Sequence, residues 1–116
     1  MIALVWQFDV REDSREAFEQ IYGADGEWTA LARRSRSYLG SAFLRDQTAP
    51  TRYLLTEYWS EMVVYERHVQ DFTDEIASLT RRRDEMLTAV QSLGVFTALD
   101  VPDRSGPTWS RRSGSP

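Results

Sequence analysis

The sequence predicts an α+β fold, in which an antiparallel sheet carries helices on one of its faces. Segments rich in Val, Ile and aromatic residues are typical of strands. Such segments lie at the start of the chain, near its middle and just before residue 100. Between them, apolar residues recur every three or four positions, as they do in helices. The link QTAP, at 47–50, joins the two middle strands with turn residues and indicates a hairpin.

The opening of the chain predicts the first strand and the first helix. The segment IALVWQFDV, at Ile2–Val10, has apolar residues on both faces of a strand. Asp13, followed by Glu16 three residues later, resembles a capping box, so we expect a helix to begin there. Gly23 ends this helix. Its apolar side comprises Phe18, Ile21 and Tyr22.

The middle of the chain predicts a short helix and then the two strands of the hairpin. Asp25, in the loop GADG at 23–26, is expected to cap the short helix, which carries Trp28 on its apolar side. The strands are YLGSAFLRD, at Tyr38–Asp46, and TRYLLTEYW, at Thr51–Trp59.

The second half of the chain predicts one apolar helical stripe that begins after Ser60, the expected N-cap. We expect a break in this helix near 70–73. Gly94 then ends the helix, and VFTAL, at Val95–Leu99, is the predicted last strand. The stripe comprises Met62, Tyr65, Val69, Phe72, Ile76, Leu79, Met86, Val90 and Leu93.

The order of elements is therefore β-α-(α)-β-β-α-β, the split βαβ or ferredoxin-like arrangement. We assign residues 1–100 to this one domain. Residues 101–116 are rich in Ser, Gly, Pro and Arg and predict a flexible tail, in which Trp109 is the one candidate anchor. The strands are apolar on both faces, so the sheet face without helices needs a cover. A second copy of the chain is the simplest cover, and we predict a homodimer.

Composition excludes several classes of function. The 116 residues fit one globular domain, and the net charge of −4 without any Lys argues against a nucleic-acid or anionic-membrane partner. Without Cys there is no thiol nucleophile, disulfide or iron–sulfur cluster, and a single His argues against a histidine metal site. The chain shows neither a signal peptide nor an apolar run of about 20 residues, so a cytoplasmic location is expected.

Two segments around a strand-to-helix junction resemble a known family. They are YGADGEWTALARRSRSYLGSAFLRD and RYLLTEYWSEMVVYERHV, with the pattern W-S-x-x-x-x-Y where the third strand ends. Over residues 1–99 the chain resembles the antibiotic biosynthesis monooxygenase (ABM) domain family of dimeric α+β barrels. This family includes cofactor-free quinone-forming oxygenases, haem-degrading enzymes and members without an assigned activity. The resemblance implies that two copies of the sheet close one barrel.

The resemblance also implies a substrate cleft at the junction. In the quinone-forming branch, a Trp at the end of the third strand and a Tyr six residues later line the cleft, and Trp59 and Tyr65 match them. That branch has an Asn four residues before the Trp, where this chain has Leu55, which makes no polar contact. An Arg of the following helix belongs to the family's site. Arg83, at a skipped position of the apolar stripe, is our candidate, with Glu57 or a substrate enolate as its partner.

The candidate residues also have purely structural interpretations. His68 is the candidate general base, because an imidazole pKa near 6.5 suits removal of a phenol proton. A partly exposed helix histidine is the alternative and the one we favour. Trp59 and Tyr65 stack on a flat phenol in the functional interpretation and are core aromatics in the other. The alternative for Arg83 is a side chain that extends to the surface.

These observations predict a cofactor-independent monooxygenase that oxidises an aromatic or polyketide-like phenol to a quinone with O2. Such an enzyme orients and deprotonates the substrate and needs no metal or cofactor. The alternative, favoured by Leu55, is a non-catalytic dimeric barrel that binds a small hydrophobic ligand or a partner protein. Haem binding or degradation comes third, because the haem-degrading branch has an Asn on the first strand, where this chain has Trp6 and Gln7.

Overall fold

The computed structural model describes residues 1–100, so the predicted tail and Trp109 lie outside the described residues. The strands are β1 (Ile2–Val10), β2 (Tyr38–Arg45), β3 (Arg52–Trp59) and β4 (Leu87–Thr97). The helices are α1 (Arg15–Tyr22), which follows a 3-10 turn at Glu12–Ser14, α2 (Glu27–Ala32), α3 (Met62–Asp71) and α4 (Thr73–Asp84). No helix within residues 1–100 is long and apolar enough to cross a membrane.

The four strands form one antiparallel sheet in the order β2-β3-β1-β4. This is the predicted ferredoxin-like α+β arrangement, which is therefore confirmed, as is the hairpin of β2 and β3. In the register of the central pair, Leu4 lies opposite Glu57 and Trp6 lies opposite Leu55. Because side chains alternate along a strand, one face of β3 is buried. The buried residues of β3 are Tyr53, Leu55, Glu57 and Trp59.

The core between sheet and helices is rich in aromatic side chains. One cluster joins the inner face of the sheet to α1, and a second, smaller cluster joins Leu4 and Trp59 to Ala32 of α2. Trp6 packs against both clusters and connects them. The first cluster comprises Phe8, Val10, Phe18, Ile21, Tyr22, Tyr53 and Leu55.

The predicted end of the last helix is wrong. The expected break is present, since α3 ends at Asp71 and α4 begins at Thr73, but α4 then ends at Asp84 and residues 87–97 form one strand. This segment pairs with β1 over its length, because β3 occupies only one of the two edges of β1. Gly94 does not end a helix. It lies opposite Val5, beside a register shift, with a φ of +131° that a glycine adopts without strain.

The predicted side-chain caps are also wrong. Ser14, Gly26 and Glu61 occupy the N-cap positions of the first three helices, and none donates or accepts a side-chain cap hydrogen bond. The start of α2 depends instead on backbone packing against the end of α1. The hydroxyl of Thr29 donates to the carbonyl oxygens of Tyr22 at 3.2 Å and Gly23 at 2.9 Å, which holds the two helices together.

Replacing Gly26 with Ala should destabilise the fold. A Cβ at this position would lie 2.2 Å from the carbonyl oxygen of Ile21 and 2.3 Å from that of Gln20, and backbone atoms have little freedom to move away. We expect a loss of about 1–3 kcal/mol or more, measured by urea unfolding followed by Trp fluorescence. The control Asp25→Ala, at an exposed neighbouring position, should stay within about 0.5 kcal/mol of the parent. Equal losses in both variants would contradict this account of α2.

Candidate functional site

A buried carboxylate lies at the centre of the candidate site. Glu57, on the inner face of β3, is only 1% exposed. The indole Nε1–H of Trp28, on α2, donates to its Oε2, and the indole Nε1–H of Trp59 donates to its Oε1 at 3.0 Å. Among residues 1–100, no arginine forms an ion pair with this carboxylate. Glu57 is thus held by two neutral donors.

The environment of Glu57 acts on the pKa of its carboxyl group in two opposite directions. Burial raises the pKa of the carboxyl group, while the hydrogen bonds from Trp28 and Trp59 stabilise the anion and act in the opposite direction. Burial outweighs the hydrogen bonds, so the pKa is raised overall. Burial also raises the pKa of Tyr65 to about 12, with a smaller contribution from the charge of Glu57. The Tyr65 hydroxyl is therefore a hydrogen-bond donor at neutral pH.

A cavity of about 90 Å³ lies between β3 and three of the helices, beside this carboxylate. A water molecule takes up about 30 Å³ in the liquid, and drug-sized ligands occupy pockets of about 300 Å³ or more. The cavity as it stands therefore fits water molecules or a very small ligand, and a flat polycyclic substrate requires the helices to separate. The lining residues are Trp28, Leu31, Ala32, Glu57, Tyr65, His68, Val69 and Ile76.

His68 lines the cavity from α3 and is buried. It is 7% exposed, and its ring lies 4.9 Å from that of Trp59 and 5.0 Å from that of Phe72, measured between centroids. The partly exposed helix histidine that we favoured is therefore wrong. Burial lowers the pKa of His68, which favours the neutral imidazole. Within the described part of the chain, its buried Nδ1 atom has no hydrogen-bond partner.

Trp59 lies behind the cavity wall. It is 0% exposed and packs edge to face on Tyr65, with 5.3 Å between the ring centroids. It contacts His68 as well, so the structure brings together three of the four residues predicted for the site. Leu55 is buried in the main core and brings no polar atom to this region.

Arg83 does not line the cavity. Its side chain is 14% exposed, and it donates to the Tyr22 hydroxyl at 3.2 Å and to a carboxylate oxygen of Asp84 at 2.8 Å. Its guanidinium lies 5.4 Å from the centroid of the Phe8 ring. The guanidinium thus contacts residues of the core, so the alternative in which it extends to the surface is wrong, and Glu57 is not its partner. Tyr22 lies between Arg83 and Trp28. The centroids of the Tyr22 and Trp28 rings are 5.3 Å apart.

The sequence pattern contained a signal for Glu57 that the prediction missed. Leu55, Glu57 and Trp59 share the parity of the inner face of β3, so an acidic residue at this position had to be buried. Glu57 was considered only as a partner for Arg83. Trp28 had no comparable signal, because its contact with Glu57 spans 29 residues of sequence and depends on the docking of α2.

A larger groove of about 670 Å³ lies between α1 and the hairpin and is open to solvent. Two of its charged side chains, Glu19 and Arg45, are paired with each other. Glu19 accepts hydrogen bonds from Arg45 at 3.2 Å and from the Tyr53 hydroxyl at 2.5 Å. We therefore assign the candidate site to the smaller cavity, where a carboxylate, a phenol and an imidazole face a shared space.

The family model of the antibiotic biosynthesis monooxygenases matches residues 1–73, from β1 to the first residue of α4. The chain belongs to the antibiotic biosynthesis monooxygenase family. The resemblance predicted from the strand-to-helix junction is thus confirmed, and the junction falls within the ABM match. No curated protein matches the ABM chain significantly.

Solved structures agree with the ABM assignment at the level of the fold. SnoaB, a cofactor-independent oxygenase from Streptomyces nogalater, is 16% identical with a TM-score of 0.72, over 86% of this chain and 94% of SnoaB. Rv0793 from Mycobacterium tuberculosis is 17% identical with a TM-score of 0.68, over 88% and 98% of the two chains. PA3566 from Pseudomonas aeruginosa is 20% identical with a TM-score of 0.63, over 84% and 93%. At such identities the likeness establishes the fold alone.

Replacing Glu57 with Gln should change the pH dependence of stability. Because the folded-state pKa is raised, Glu57 contributes to the free energy of unfolding in full below its unfolded pKa of about 4.3. This contribution is lost as pH rises through the folded-state pKa. The stability of Glu57→Gln relative to the parent should therefore increase from pH 4 to neutral pH, by about 1.4 kcal/mol for each unit of raised pKa.

Urea unfolding at a series of pH values measures this difference. The control Glu66→Gln removes one charge from the exposed side of α3 and reports the effect of net charge alone. A stability difference for Glu57→Gln that does not change with pH, once this control is subtracted, would contradict the raised pKa.

Proposed function

We propose that this ABM protein is a cofactor-independent monooxygenase that oxidises a small aromatic phenol to a quinone with O2. The observation that carries the proposal is the cavity at the strand-to-helix junction, where Tyr65 and His68 face Glu57. Family membership and the similarity to SnoaB, a cofactor-independent oxygenase, support the same reaction class.

The proposed chemistry requires little of the protein. The phenol loses a proton, and the resulting phenolate supplies the electrons for its reaction with O2. One oxygen atom enters the ring as a new carbonyl group, and the other leaves as water. The protein orients the ring, excludes bulk water and positions the proton-transfer groups. The neutral Tyr65 hydroxyl is suited to donate a hydrogen bond to the developing phenolate oxygen.

A non-catalytic small-ligand barrel is the second candidate function. Leu55 brings no polar atom to the site, and the cavity is below the usual size of a ligand pocket. Haem binding is less well supported, because His68 is enclosed between Trp59 and Phe72 and a haem group exceeds the cavity. An O2-uptake assay combined with a binding assay distinguishes these functions.

Replacing Tyr65 with Phe should lower the rate of O2 consumption. The substrates are 1-naphthol and anthrone, and the assay follows O2 uptake with an electrode and quinone formation by absorbance. Loss of a hydrogen bond to a charged oxygen should lower kcat/KM about 10- to 100-fold. The matched control is Tyr58→Phe, which removes the same hydroxyl from the opposite face of β3.

The outcomes of this assay separate the two candidate functions. O2 uptake that falls in Tyr65→Phe and not in Tyr58→Phe supports the oxygenase. Saturable quenching of Trp fluorescence without any O2 uptake supports the non-catalytic ligand barrel. Neither binding nor O2 uptake with either compound would count against both functions.

We also propose that the protein is a homodimer. β4 pairs only with β1, and its apolar side chains are exposed within the described chain. An exposed apolar strand at the edge of a sheet is typical of a surface covered by another chain. The exposed apolar residues of this strand are Val90, Leu93, Val95 and Phe96, at 40–52%.

Replacing Phe96 with Glu should weaken this dimer. Phe96 is 49% exposed and lies opposite Ala3 on the sheet, so a carboxylate there places a charge in the proposed interface. Sedimentation equilibrium should give a dimer mass for the parent and a monomer mass for Phe96→Glu at the same concentration. The control Val63→Glu, at a 57% exposed position on α3, should remain dimeric. A monomeric parent protein would refute the proposed dimer.

A further inference from the structure

We propose that Glu57 is the general base of the cavity and that Trp28 and Trp59 are positioning residues that hold its carboxylate. Glu57 takes the proton of a ligand hydroxyl: the O–H bond of the ligand breaks, the proton passes to a Glu57 oxygen, and the electron pair stays on the ligand oxygen. The inference rests on the proposed function, because O2 is the reactant that consumes the resulting phenolate.

The geometry leaves Glu57 free to accept such a proton. A carboxylate has about four lone-pair sites, and the two indole N–H groups use two of them, one on each oxygen. Glu57 is only 1% exposed and lines the cavity, so a ligand in the cavity is well placed to use the remaining sites. The two indoles come from different elements, α2 and β3, and therefore fix the plane of the carboxylate.

The other ionisable groups of the cavity are less suited to this role. Tyr65 remains a neutral phenol and can only donate or accept a hydrogen bond, since burial raises its pKa to about 12. His68 has no hydrogen-bond partner on Nδ1 among residues 1–100, so no acceptor there fixes its tautomer or stabilises an imidazolium ion. Glu57 alone has fixed donors on its charged form, and its raised pKa makes it a stronger base than an exposed carboxylate.

The transfer does not change the charge inside the cavity. Before the step the charge is on the Glu57 carboxylate, and after it the charge is on the ligand phenolate. Burial therefore penalises both states, and no arginine is needed as a counterion. The ionisable groups around Glu57 are Tyr65 and His68 of α3, Tyr22 of α1 and Tyr38 of β2. The residues of β1 and α2 that lie around it carry no charge: Leu4, Trp28, Leu31 and Ala32.

A binding experiment under nitrogen tests the contact between Glu57 and a ligand hydroxyl without any turnover. The affinities of 4-methylphenol and 1,4-dimethylbenzene, which differ by one hydroxyl group, are measured by Trp fluorescence quenching for the parent protein and for Glu57→Gln. The ratio of the two affinities, with and without the hydroxyl group, should be about tenfold larger for the parent than for Glu57→Gln. The reason is that a charged hydrogen-bond acceptor is stronger than a neutral one. An equal hydroxyl preference in both proteins overturns the proposal, even if the protein consumes O2.

A kinetic experiment tests the base itself. Glu57→Gln should lower kcat/KM about 100-fold or more with 1-naphthol, which is protonated at neutral pH, and much less with an electron-poor phenol that is already ionised. Glu57→Asp keeps a carboxylate and should restore part of the rate, with circular dichroism confirming that both variants fold. An equal loss with both phenols overturns the role of Glu57 as a base.

The pH profile of kcat/KM tests the positioning role of the indole groups. Trp28→Phe removes one donor to the charged form of Glu57, so the pKa of Glu57 rises and the acid limb of kcat/KM should move to higher pH. An unshifted limb would overturn the positioning role of Trp28. If the parent binds with the hydroxyl preference but consumes no O2, the oxygenase function fails while the contact with Glu57 stands.

Discussion

The hydrogen bonds between two indole groups and one buried carboxylate organise this protein. Glu57 is buried without a cation, and such burial is costly unless the charged or polar atoms are satisfied. Trp28 and Trp59 satisfy both oxygens and, in doing so, connect α2 to the centre of the sheet. The position of α2 relative to β3 follows from this constraint, and the cavity lies in the space that the three side chains leave beside α3.

The aromatic core extends this arrangement to the rest of the domain. Tyr22 packs on Trp28 from α1, and its hydroxyl accepts a hydrogen bond from Arg83 of α4. Arg83 thus supports the same aromatic wall from the side away from the cavity, over the ring of Phe8. Arg83, a polar residue in the helical stripe, thus finds its partners in the core.

The two sides of the sheet differ in what covers them. Helices cover one side and enclose the carboxylate, while on the other side apolar side chains such as Phe96, which lies opposite Ala3, are exposed. A homodimer would bury these side chains and would also limit how far the helices can move on the opposite face.

The sequence by itself determined the order of most elements, the hairpin, the family and the inward direction of Trp59, because alternation and helical spacing are local properties. The same spacing failed at Val90 and Leu93, where the pairing of β4 with β1 favoured a strand over a continued helix. Only the tertiary structure decided what surrounds Glu57. Its partner Trp28 is distant in sequence, and a buried acid looks the same in sequence whether an arginine or two indoles satisfy it.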